Sequence, residues 1–174
     1  TNSINKKINT DKNKSISELS NKLKQAELLL SISHKVSSME TVDEILETLV
    51  EVATQEMNAE RGSLFLNDPI TNELYSRVAM GMHRRQIRIM NDSGIAGSVF
   101  QTGVGLIVKD AYADKRFDKS IDQNTGFKTK SILCTPIKTV KGLVIGCTQV
   151  LNKKKGVFTK SDMAFLELIT SQAA

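Results

Sequence analysis

Between Asp110 and Ile137 the chain reads DAYADKRFDKSIDQNTGFKTKSILCTPI, a long irregular polar stretch that runs straight into an apolar strand. A connection of this length inside a compact domain is usually functional or disordered. Aromatic residues at Tyr112, Phe117 and Phe127 argue for order, because a disordered segment rarely exposes aromatics to water. The stretch is expected to form an ordered lid over a small ligand. Asp118, Asp122, Thr125 and Thr129 supply its polar groups.

The elements around the lid are marked by local signals. Residues 1–14 are polar and rich in Lys and Asn, which predicts a frayed start. From residue 15 to 38 a helix is expected, with Ile16, Leu19, Leu23, Ala26 and Leu30 spaced three and four apart. That seam suits pairing with a helix of a second copy or of the chain's own domain. Residues 39–174 form the main domain. Thr41 and Glu44 fit a capping box that opens a helix, with Ile45, Leu46, Leu49, Val50, Ala53 and Met57 on one face. Ser63–Asn67 and Leu74–Met80 read as a hairpin, joined by Asp68-Pro69-Ile70-Thr71-Asn72 as its turn. Gly94 to Phe100 reads as a glycine-led helix stopped at Gly103, a common C-terminal device. Gly105–Lys109, Ser131–Lys138 and Leu143–Leu151 read as strands. A last helix starts near Thr159, with Asp162 completing its cap and Phe165, Leu166 and Ile169 turned inward. Helices at both ends around a run of strands indicate an α+β domain.

Several function classes are disfavoured. The net charge of +5 permits an anionic partner. Its lysines gather in the N-terminal tail and at Lys153-Lys154-Lys155 without interleaved aromatics, the pattern of a solvated face rather than a nucleic-acid surface. No apolar run approaches the ~20 residues of a spanning helix, and no signal-peptide pattern opens the chain. A cytoplasmic protein is expected, and a chain that opens without Met reads as a fragment. Cys134 and Cys147, distant in sequence and set among apolar residues, read as reduced structural thiols. There is no nucleophile elbow, HExxH, glycine-rich phosphate loop or Cys/His cluster. His34 and His83 have no sequence-local carboxylate or cysteine partner. No catalytic residue, metal or cofactor is expected.

Binding signals are stronger. Gly94 to Gly97 would present the backbone N–H groups of Ile95 and Ala96 at a helix N-terminus, an anion site. The same glycines also suit a simple tight turn. Thr125 and Thr129, four apart, would share one helical face, and Asp122 would accept from a sugar hydroxyl. Local helix capping by Asp118 and Asp122 is an equally good reading. A ligand with one phosphate, a ribose and a flat base would engage all these groups.

Gly94-Ile95-Ala96-Gly97, Asp110-Ala111-Tyr112, Arg116-Phe117, Asp122, Thr125 to Thr129 and Ile132 to Ile137, with Asn152-Lys153, Phe158 and Asp162, together resemble a GAF domain. More narrowly, they resemble the cyclic-nucleotide-binding GAF domains of phosphodiesterases and cyanobacterial adenylate cyclases. The resemblance implies a six-stranded antiparallel sheet with N- and C-terminal helices on one face and a ligand lid on the other. It implies that Ile95, Ala96 and the backbone at Asp118 surround the phosphate. Asp122, Thr125 and Thr129 would serve ribose and phosphate, Ser63 and Gln149 the base, and Ala79 and Met80 its wall. Lys153 and Asp162 would form a structural salt bridge, with Met163 standing where the motif has glutamate. Met80 stands where guanine-selective relatives have an aspartate. Guanine's N1–H and N2–H donors would lack an acceptor there, so cAMP is expected over cGMP, with Arg77 and Gln149 available to the adenine edge. The implied function is a regulatory sensor, homodimeric through its N-terminal helix, attached to an output domain such as a bacterial adenylate or diguanylate cyclase. The alternatives are a GAF domain that dimerises and relays signals without nucleotide, or, less favoured by the cysteine positions, a free methionine sulfoxide reductase or a bilin-binding photoreceptor.

Overall fold

A computed structural model describes residues 2–80 and 86–171, with side chains from residue 6 onward. Two units are present, residues 1–39 and 40–174. The first is one helix, α1 (Asn2–Ser37). The frayed start expected over residues 1–14 is instead helical from Asn2. No Gly or Pro occurs before Gly62, so nothing in this stretch breaks a helix once it is started. The seam residues Ile16, Leu19, Leu23 and Leu30 are each more than 60% exposed.

The second unit begins with α2 (Val42–Glu56). Its capping box is present: the Thr41 side chain accepts from Glu44 N at 3.2 Å, and Glu44 accepts from Thr41 N at 3.3 Å. Strands β1 (Ala59–Asp68), β2 (Glu73–Ala79), β3 (Arg88–Met90), β4 (Leu106–Val108), β5 (Ile132–Lys138) and β6 (Val144–Lys153) form one antiparallel sheet in the order β3-β2-β1-β6-β5-β4. The short strand β3 is not marked in the sequence. Helix α3 (Gly94–Thr102) leads into β4. The lid holds a 3-10 turn at Ala111–Ala113 and helix α4 (Lys119–Thr125). Helix α5 (Lys160–Thr170) closes the fold, with a Thr159–Asp162 capping box.

Strand alternation splits the core. On the α2 side Leu46 and Val50 pack with Leu64, Val78 and Ile137, while α5 buries Leu166 and Ile169 and lies against β5. On the lid side Phe65, Leu74, Ile132, Cys134 and Cys147 pack with Ile95, Ala96 and Val99 of α3. The expected layering, helices on one face and lid on the other, is the one observed.

A bulge sits in this pattern. Leu64 pairs with Val78 but Phe65 pairs with Ser76, so Arg77 is an extra residue on β2. Such an insertion re-aims a side chain. Arg77 Nε meets Asp43 Oδ1 of α2 at 2.7 Å, on the helix side of the sheet. The availability of Arg77 to a base edge is therefore corrected: without the bulge it would share the face of Ala79.

Candidate functional site

The start of α3 is shaped first by backbone. Gly94 has φ of +71°, which L side chains rarely adopt. At Gly97 an added Cβ would lie 2.8 Å from the carbonyl carbon of Asp92, so only glycine lets α3 press against that turn. Ser93 is the N-cap residue but makes no side-chain cap hydrogen bond. The first intrahelical acceptor serves Gly97, whose N–H donates to Ser93 O at 3.0 Å. The N–H groups of Ile95 and Ala96, both only 4% exposed, find no acceptor among the described residues. A buried helix start with orphan donors is rare unless something else supplies the acceptor.

These groups border a cavity of about 280 Å³ lined also by Phe65, Arg88, Phe117, Asp118, Ile121, Asp122, Thr129, Ile132, Gln149 and Leu151. A narrower recess of about 60 Å³ adjoins it, lined by Arg61, Ser63, Ala79, Met80, Thr125 and Phe127. Phe65, Ile121, Asp122, Thr129, Gln149 and Leu151 line both. All ten residues named from the sequence as ligand-binding thus border one or the other of these two spaces.

Their individual roles differ from the expectation in places. Asp122, 6% exposed, accepts from Tyr112 Oη at 2.9 Å, from Thr129 N at 2.7 Å and from Thr129 Oγ1 at 2.7 Å. Its carboxylate pins the lid to itself, and its hydrogen bond with Tyr112 raises the phenol pKa. Thr125 and Thr129 do not share a helical face. Gly126, at φ +70°, ends α4, so Thr129 lies past the helix and turns its hydroxyl to Asp122. Asp118 caps α4, accepting from Ser120 N at 2.9 Å; hydrogen bonding from the Ser120 side chain, and then from its backbone N–H, holds the Asp118 pKa below the usual value. Met80 borders the recess, yet its side chain packs with the cluster on the α2 side, because the residue after Ala79 alternates to the other face.

Further lid contacts are absent from the sequence reading. Asp114 and Arg116 form a two-pronged pair at 3.0 and 2.7 Å, and the arginine's hydrogen bonds lower the Asp114 pKa from 3.8 to about 2. Tyr112 packs on Phe117 with ring centroids 5.3 Å apart. Asn152, 2% exposed and at φ +57°, accepts from Lys130 N at 2.6 Å and donates to Lys128 O at 2.9 Å and Glu60 at 3.0 Å. It staples the end of the lid to β6. Asn is one of the few residues other than Gly that takes a left-handed φ readily, which lets it sit there inside β6.

The Lys153–Asp162 pair is present at 2.7 Å, and Asp162 also accepts from Thr159 N. Met163 leaves this pair intact. Cys134 and Cys147 are free and fully buried, on neighbouring strands. The Cys134 pKa is raised by its hydrogen bond with Cys147 and by burial, the opposite of an activated thiolate. His83 lies outside the described residues. Among the described residues no group of three or more His, Cys, Asp or Glu side chains is placed to hold a metal ion, and no helix is long and apolar enough to cross a membrane.

The GAF domain family model matches residues 41–174. The chain is 37% identical over 150 residues to the protein named "Probable 3',5'-cyclic phosphodiesterase pde-5" of Caenorhabditis elegans, covering 79% of this chain and 20% of that protein. It is 34% identical over 155 residues to the "Dual 3',5'-cyclic-AMP and -GMP phosphodiesterase 11" of Drosophila melanogaster, covering 78% of this chain and 11% of that protein. The chain therefore spans a fifth or less of the length of these relatives. Its fold is similar to the GAF domain of a phosphoenolpyruvate-protein phosphotransferase from Coxiella burnetii, with a TM-score of 0.77 at 18% identity over 86% of this chain and 89% of that one. It is also similar to a free methionine-R-sulfoxide reductase from Neisseria meningitidis, with a TM-score of 0.72 at 18% identity over 86% and 85%.

Proposed function

The chain belongs to the GAF domain family, and from that premise we propose that it is a regulatory sensor that binds a cyclic nucleotide and controls an attached output domain. One observation carries this reading. The buried start of α3, with its orphan N–H groups, opens into a roofed cavity of about 280 Å³ whose far end holds polar side chains suited to a base. Helix-terminal N–H groups satisfy a phosphate, and a mostly apolar cavity with few convergent polar groups is the usual form of a small-molecule site.

The matched relatives are named as phosphodiesterases, which supports a phosphodiesterase as the attached domain in place of a cyclase. The expectation of cAMP rests on Met80, and the turning of that side chain toward α2 weakens it. Ligand entry requires the lid to move. Binding orders Asp110–Thr129 and biases the domain toward its closed form through unequal affinity for the two forms. Unequal hydrogen-exchange protection of the lid with and without nucleotide is the expected result. Calorimetric titration of the purified protein with cAMP and with cGMP tests the function itself, and no heat from either at millimolar ligand would sink it.

The exposed seam on α1 supports a second role, pairing with α1 of a second copy as a cytoplasmic homodimer. Sedimentation of the chain with and without residues 1–38 checks this. A dimer that persists unchanged in the shorter form counts against it.

A further inference from the structure

Arg61 is the one charged residue, among the described residues lining the recess, that has no role in the sequence reading. It lies on the lid face of β1, with Ser63 two residues on and Gln149 directly opposite Ser63 on β6. Its guanidinium sits over the Phe127 ring of the lid, 4.0 Å from the centroid. Stacking uses the flat face of a guanidinium and leaves its in-plane N–H donors available. Among the described residues no carboxylate takes them. The ion pairs of the other described arginines engage Arg77, Arg88 and Arg116. The adjacent Glu60 accepts from Asn152. Arg88, which borders the wide cavity, meets Glu73 at 2.9 Å, so the two arginines among the described residues at the site differ: one has a carboxylate partner and one has none there. Ser63 is 7% exposed, lines the recess, and like Gln149 has no hydrogen-bond partner among the described residues. A half-buried cation and a hydroxyl that both border the recess without partners there leave donors available to a ligand.

Building on the cyclic-nucleotide reading, we propose that Arg61 is a specificity-determining residue that reads the O6 and N7 edge of a 6-oxopurine, giving the site a preference for cGMP over cAMP. Two parallel N–H donors match the two acceptors of guanine on that edge. Adenine offers N7 beside an amino group, which opposes one donor with another. The recess of about 60 Å³ admits the edge of a base rather than a whole base, which suits reading by one fork of donors. This recognition needs nothing from position 80, because the guanine N1–H and N2–H groups lie on a different edge.

The test is calorimetric titration of the full chain with the 3',5'-cyclic monophosphates of guanosine, inosine and adenosine. Inosine keeps O6 and N7 and lacks the N2 amino group. The guanosine and inosine nucleotides are expected to bind within a few-fold of each other and about 10- to 100-fold tighter than the adenosine one, the range of a bidentate arginine contact. In Arg61→Ala that ratio falls towards one. In Arg61→Lys, which keeps the charge over Phe127, most of the ratio is lost while the melting temperature holds. Equal wild-type affinities, or an Arg61→Ala variant that weakens all three ligands equally, would overturn the proposal and leave the sensor reading standing. No binding by any of the three overturns both.

Discussion

The two ends of the cavity present their polar groups in opposite ways. At the α3 end the donors are backbone N–H groups fixed by Gly94 and Gly97, and no side chain is needed to present them. At the recess the polar groups are the side chains of Arg61, Ser63 and Gln149, carried on paired strands. A backbone site holds any phosphate alike, whereas a side-chain site discriminates between bases. Substitution can tune the second freely and the first hardly at all. Between them Asp122 and Thr129 line both ends, so on the proposed reading the lid would couple recognition of the two.

Breaking that coupling has the largest expected effect. Asp122→Ala strands the Tyr112 hydroxyl and two Thr129 donors. It is expected to cost about 3 kcal/mol of stability, as loss of a charged acceptor does. Thermal unfolding should show it, together with loss of lid hydrogen-exchange protection and of binding by every nucleotide. A stable variant with a closed lid would separate the two ends again.

Ile95→Pro comes next. It deletes one donor in the first helical turn, where proline is tolerated, and follows a Gly94 that already lies outside the right-handed helical region. All cyclic nucleotides should weaken together, by about 10- to 100-fold if the lost bond goes to a charged phosphate, with the ratio among bases unchanged. A changed ratio would show that the two ends are not separate in function.

Acid should loosen the lid before it touches the sheet. Asp114, lowered from 3.8 to about 2 by Arg116, contributes stability that is complete above about pH 4. That stability is lost as pH falls toward 2 and the carboxylate protonates. The exchange protection of Asp110–Thr129, taken relative to the intrinsic rate at each pH, should be flat down to about pH 4 and fall below it, and Asp114→Asn should remove the transition.

The smallest effect lies on the other face. Thr135 and Thr148 pair across β5 and β6, fully buried, with both hydroxyls unpartnered. Replacing both with Val removes two unmet polar groups at nearly constant shape. A gain of about 1 kcal/mol is expected, read as a raised melting temperature with nucleotide affinity unchanged. A drop in stability would reveal an ordered water bridging them.

Much of the domain was legible because its signals are local. The two capping boxes, the Asp68–Asn72 turn and the Gly103 stop each depend on a few consecutive residues. The lid announced itself by length and composition. The three-residue strand β3 was missed because so short a run carries no usable alternation, and α1 extended past its expected start because composition alone does not end a helix. Within the site, the identities of the residues were readable but their duties were not. Asp122 was given to a ribose hydroxyl, and the fold spends its carboxylate on Tyr112 and Thr129.

The sequence by itself determined most of the order of elements and the glycine-led start of α3, for which short-range rules of capping and turn chemistry suffice. Ser63, Ala79, Met80 and Gln149 were marked only by the resemblance to a GAF domain. Tertiary structure decided which groups remain available. A bulge opposite Leu64 and Phe65 sends Arg77 to Asp43, alternation turns Met80 toward α2, and strand β1 meets the lid where Arg61 covers Phe127. Those outcomes depend on which distant segments pair, and the spacing of residues along the chain does not encode that pairing.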